Sequence, residues 1–223
     1  MNWLKKNWLW LIINILVALP LLNLLLSVKI DFSGDGLIFS YSLPQEILSR
    51  VNESGRPFGP WKMPVHITGE WSIRLIVITL CCTPLNVLFS TNKLIRYRKM
   101  FGIYTFIYST AHFIFFLADR SFVEIFSEVN FILGFIAAII FIVLGVTSNK
   151  AAMRMLKKNW KTLQKLTYAA GILSVLHLAL LGKDSWILYA SIMIIGFVIR
   201  IPVVKNAISK SRKSNNELDA ELA

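Results

Sequence analysis

Apolar residues along this chain gather into six long runs, separated by short basic connections and one long polar segment. A helix needs ~20 apolar residues to cross a ~30 Å hydrocarbon core at ~1.5 Å rise per residue. The runs at about 7–28, 71–91, 101–118, 131–148, 166–182 and 185–204 meet or approach that length, so the pattern predicts six membrane-spanning helices. Lys5 and Lys6 precede the first run as they would in a signal peptide. That run is long, however, contains Pro20, and is followed by no small-x-small cleavage site, so it reads as a retained anchor. Pro84 predicts a kink in the second span, which a membrane helix tolerates. The expected architecture is all-α: an integral membrane six-helix bundle over residues 1–204, then a frayed polar tail at 205–223.

Composition agrees with the pattern. Of 223 residues, 56% are hydrophobic and only 16% charged, where a soluble domain would carry about 25% charged residues. The net charge of +12 resides mostly in the short connections, so membrane orientation accounts for it and nucleic acid is not an expected partner. Most of the 24 basic residues fall in segments that share a side with the N-terminus, and most of the 12 acidic residues fall opposite, from Asp31 to Asp184. The positive-inside rule then puts both termini in the cytoplasm. Residues 29–70 form the one long outer connection, rich in turn formers at 33–36 and 54–57, and long enough to act as a cap or docking surface. No internal repeat, Walker motif or Gly-rich phosphate loop stands out, so nicotinamide chemistry is expected on another protein. Cys81 and Cys82 are adjacent and inside a span, where small apolar packing is the expected role.

The histidines add chemistry. There are three, His66, His112 and His177, and an ionisable side chain within a span is costly enough to mark function. His112 lies 13 residues past Lys99, a rise of ~20 Å, and His177 lies 12 past Lys165, ~18 Å. Two imidazoles at one depth, on helices running the same way, fit axial ligation of one haem iron. Ser109, Thr110, Ala111, Ala169, Ala170, Gly171 and Ser174 would admit the macrocycle, with Phe106, Phe113, Phe115 and Tyr168 at its edges. The plainer alternative is that each histidine hydrogen-bonds across a helix interface in a haem-free structural subunit or small-solute carrier. His66 falls in the outer loop, where a solvated or local role is the default. Arg96, Arg98 and Lys99 could hold anionic lipid, a flavin phosphate or a quinone head group, although orientation alone explains a basic loop.

The stretch from His66-Ile-Thr-Gly-Glu-Trp through Thr79-Leu-Cys-Cys-Thr-Pro, then Leu94-Ile-Arg-Tyr-Arg-Lys to His112, resembles the MsrQ (YedZ) family of haem-binding membrane subunits. Asn159-Trp160 through Gln164 and Tyr168 to His177 matches a second block, and the resemblance covers about 60–180. It implies a ferric-reductase-like transmembrane fold, haem b, and electron delivery from a quinone or flavin donor. The quinone pool or a cytoplasmic flavin reductase would be the source. The acceptor it implies is a periplasmic molybdopterin-type methionine sulfoxide reductase subunit. A ferric-reductase-like metal reductase is the alternative within that class. Family members commonly carry a further histidine where this chain has Gln164, a poor iron ligand, so one haem rather than two is expected. Gln164 is then a candidate contact for an inner flavin, FMN, or quinone.

Overall fold

A computed structural model describes residues 2–31, 38–41, 61–90 and 93–221. The chain is a helical bundle built of α1 (Asn2–Leu26), α2 (Lys62–Phe89), α3 (Lys93–Asp119), α4 (Val129–Val146), α5 (Lys150–Leu156), α6 (Lys158–Gln164), α7 (Leu166–Leu180), α8 (Ser185–Arg200) and α9 (Pro202–Glu221). Five helical segments are long and apolar enough to cross a membrane, the fifth being α6 and α7 read together over Lys158–Leu180. α8 counts as a sixth only together with the start of α9. The expected helical membrane bundle is therefore what forms. Inside the long 29–70 connection, β1 (Val28–Asp31) and β2 (Ile38–Tyr41) make a small antiparallel hairpin, with Val28 opposite Tyr41. The turn clusters expected at 33–36 and 54–57 lie outside the described residues.

α2 is the hub. Ile73, Ile76, Val77 and Leu80 face one core with Ala137 and Phe141 of α4, Ala170 and Val175 of α7, and Met193 of α8. Leu75 and Cys82 face another core with Val17 of α1 and Phe101 and Tyr108 of α3. A helix that is apolar all round has to be buried on several sides or face lipid, and α2 does the former while α1 does mostly the latter. Pro20 interrupts the backbone ladder of α1. Beside it the Tyr108 hydroxyl donates to the Val17 carbonyl at 2.6 Å and accepts from the Leu21 N–H at 3.1 Å, standing in the ladder itself. Tyr104 donates to Asn14 Oδ1 at 3.0 Å one turn away, so two tyrosines of α3 dock α1.

Three boundaries differ from the pattern reading. α2 begins at Lys62, well before the expected start, because the polar residues of 62–70 still form helix. His66 is therefore helical, not in a loop. The sixth run stops at Arg200, and the chain bends by 75° into α9 because Pro202 cannot continue the ladder of α8. The tail expected to fray from 205 is helical to Glu221.

Candidate functional site

His112 on α3 and His177 on α7 line the same cavity, with Phe113, Phe116, Phe131, Phe135 and Gly134 among its walls. The helices thus bring the two histidines to one cavity. Each ring is held by one backbone carbonyl: His112 Nδ1 lies 2.8 Å from the Val65 carbonyl oxygen, and His177 Nδ1 lies 2.6 Å from that of Asn130. A carbonyl can only accept, so each Nδ1 carries the proton and donates. In the neutral ring Nε2 then keeps its lone pair, the state an imidazole needs to ligate a metal.

The close approach depends on two glycines. A Cβ at Gly69 would sit 2.9 Å from the His112 ring, and a Cβ at Gly134 would sit 2.9 Å from the His177 ring. Each glycine lies one turn beyond the carbonyl that its histidine uses: Val65 then Gly69 on α2, Asn130 then Gly134 on α4. The two arrangements correspond residue for residue at a shift of 65, from Val65, Gly69, Ser109 and His112 to Asn130, Gly134, Ser174 and His177. α2 packs most extensively on α3, and α4 on α7. The expectation of no internal repeat is therefore corrected. A helix pair is used twice, and the cavity lies between the copies. The signal is weak in sequence because most other positions in these spans are simply apolar, leaving only Gly, Ser and His to mark the register.

The donor set and the cradle fit a planar metallo-macrocycle: two imidazoles, apolar walls, and glycines where a side chain would push each ring away. Of the aromatics expected at its edges, only Phe113 lines the cavity. Phe115 stacks on Trp61 at 5.6 Å between centroids. Phe106 lies against Gly145, and Tyr168 packs on Phe197. The small residues Ala170 and Gly171 serve helix packing, Gly171 against Leu80 and Met193. Phe116, Phe131 and Phe135 do not stand out in the sequence, since phenylalanine is common in every span. At the rim, Arg120 stands over the Phe131 ring at 5.2 Å and pairs with Glu124 at 3.3 Å. Lys183 donates to His66 Nε2 at 2.7 Å, which ties the α7–α8 connection to α2.

At the other end of the bundle the basic run divides. Arg98 turns inward and reaches Thr83, while Arg96 and Lys99 are exposed. Gln164 is partly buried, and its Nε2 has no hydrogen-bond partner.

Residues 68–175 match the family described as the ferric reductase like transmembrane component. This part of the chain is similar to ferric-reductase-like transmembrane components. The chain is also similar to heme-binding subunits named MsrQ. Over 126 residues it is 40% identical to the protein-methionine-sulfoxide reductase heme-binding subunit MsrQ of Xanthomonas campestris pv. campestris (strain B100), covering 53% of this chain and 58% of the relative. Over 137 residues it is 37% identical to the subunit of the same name from Agrobacterium fabrum, covering 58% and 63%. The chain thus spans rather more than half the length of these curated relatives. No solved structure matches it.

Proposed function

We propose that this chain is a b-type haem electron-transfer subunit of a bacterial inner membrane, with His112 and His177 as axial ligands of one haem. The observation that carries the reading is the matched pair of imidazoles, each fixed as its Nδ1–H tautomer by a carbonyl and both lining one phenylalanine-walled cavity. The heme-binding name of its relatives supports it. A haem held there supplies a one-electron couple whose potential follows ligands and surroundings. The chain's own residues set both. The Val65 and Asn130 carbonyls orient the rings and raise the basicity of Nε2. Gly69 and Gly134 keep the ring positions clear, and the four phenylalanines exclude water.

With both termini cytoplasmic, the histidine end faces the periplasm and the Arg98 end faces the cytoplasm. Electrons then enter from a quinone or flavin donor and leave to a periplasmic methionine sulfoxide reductase catalytic subunit, of molybdopterin type. The test is to reduce the purified protein and follow its haem band after mixing with that subunit. Reoxidation that needs both the subunit and methionine sulfoxide is the expected result. A band that stays reduced with them, yet is discharged by a ferric chelate, would replace this reading with a metal reductase.

A further inference from the structure

α9 takes no part in the histidine site, yet it carries a pattern of its own. Val203, Val204, Ala207 and Ile208 recur at the spacing that gathers residues onto one side of a helix. Lys205, Asn206, Ser209 and Lys210 recur at the same spacing and fall on the opposite side. The two lysines stand at the margins of that polar side. Charge along this part of the chain has one sign. From Arg200 to Lys213 there are five basic residues, and no acidic residue lies between Asp184 and Glu217.

The bend at Pro202 sets the direction of the helix. α8 has 16 residues, a rise of ~24 Å, so it ends short of a ~30 Å hydrocarbon core. The chain then turns by 75° into α9. With α8 along the span direction, α9 runs close to the plane of the membrane and near its boundary. It packs back on α2 and α8, which half-buries Val204 and Ile208. Val203 stays 77% exposed, and Ala207 is exposed on the same apolar side. The bundle therefore covers only part of that side. Lys205 and Lys210 are exposed, and among the described residues the ion pairs are His66–Glu70, Arg74–Glu70 and Arg120–Glu124, none of them on α9.

We propose that α9 is an interfacial helix, with Val203 and Ala207 at the acyl boundary and Lys205 and Lys210 on anionic lipid head groups. A basic amphipathic helix holds to a bilayer by buried apolar area together with attraction to anionic lipid. Each basic residue near such a surface strengthens the hold about fivefold. One continuous helix carries all four residues, so its register alone brings them to the same surface. None of them lines the histidine cavity, and the contact would form on either face of the membrane. Neither the haem assignment nor the orientation of the chain enters.

The test is hydrogen–deuterium exchange of the full chain in lipid nanodiscs, read by mass spectrometry on the amides of residues 203–211. Discs of phosphatidylcholine alone are compared with discs that also carry phosphatidylglycerol. The anionic lipid is expected to slow this exchange about tenfold or more, because lipid that binds the folded helix stabilises it by mass action. Exchange within α2 should be the same in both discs. The double variant Lys205→Gln with Lys210→Gln should lose most of the slowing, and high salt should do the same to wild type. Asn206→Gln, an uncharged change on the polar side, should keep it. Equal exchange in both lipids would overturn the proposal: uniformly slow exchange means that protein or hydrocarbon covers α9, and uniformly fast exchange means that water does. Slowing that survives in the double-lysine variant would overturn it as well. Haem content is read on the same discs and should not change, which separates failure here from failure of the histidine assignment.

Discussion

Gly69 and Gly134 are the residues on which the histidine geometry turns. An added methyl at either would meet an imidazole at 2.9 Å, closer than real Cβ contacts come, so the ring must move and its carbonyl bond must stretch. Gly102 offers the comparison, since a Cβ there would meet only the Thr79 methyl at 3.9 Å. We expect Gly69→Ala and Gly134→Ala each to shift the low-spin electron paramagnetic resonance signal and to lower haem retention. Gly102→Ala should do neither, and should stabilise α3 by up to about 1 kcal/mol through helix propensity. Identical spectra in all three variants would show that the glycines do not set the ring positions. The histidines themselves were legible from the sequence, because an imidazole is too costly to carry inside an apolar run without a partner to hold it. The glycines and the carbonyl acceptors were not, since a backbone oxygen has no letter in a sequence and glycine in a span has many uses.

At the scale of the element, the pattern of apolar runs located every span, yet misplaced what happens at their ends. α2 begins early because polar residues at a membrane boundary are as compatible with helix as with loop, so hydropathy marks the hydrocarbon limit and not the helix limit. α8 ends early because Pro202 counts as a span residue by polarity but breaks the ladder. The docking of α1 was invisible for another reason: it depends on where a partner helix places one hydroxyl. Tyr108 stands between Val17 and Leu21 beside Pro20, and Tyr108→Phe would leave two backbone groups to find each other or go unpaired. The expected cost is about 1–3 kcal/mol, seen as a lower unfolding temperature in detergent with an unchanged haem spectrum. If the unfolding temperature does not move, the α1 ladder closes without the tyrosine and the insertion is incidental.

For the whole molecule, the two uses of one helix pair explain why the candidate ligands come to the same cavity. α2 with α3 and α4 with α7 present a histidine, a serine three residues before it, a glycine and a carbonyl in the same relation. The orientation we propose for that cavity rests on charge: reporter fusions after residue 50 and at the C-terminus should report opposite compartments, the latter cytoplasmic. Agreement between the two reporters would remove the periplasmic exit for electrons while leaving the histidine pair intact. The central claim is that this pair grips one haem. Haem per chain, measured by pyridine haemochrome in wild type, His112→Ala and His177→Ala, tests it most directly. The account predicts about one haem in wild type and little or none in either variant, with His66→Ala close to wild type. A full complement of haem in either the His112 or the His177 variant, or two haems per wild-type chain, would contradict it.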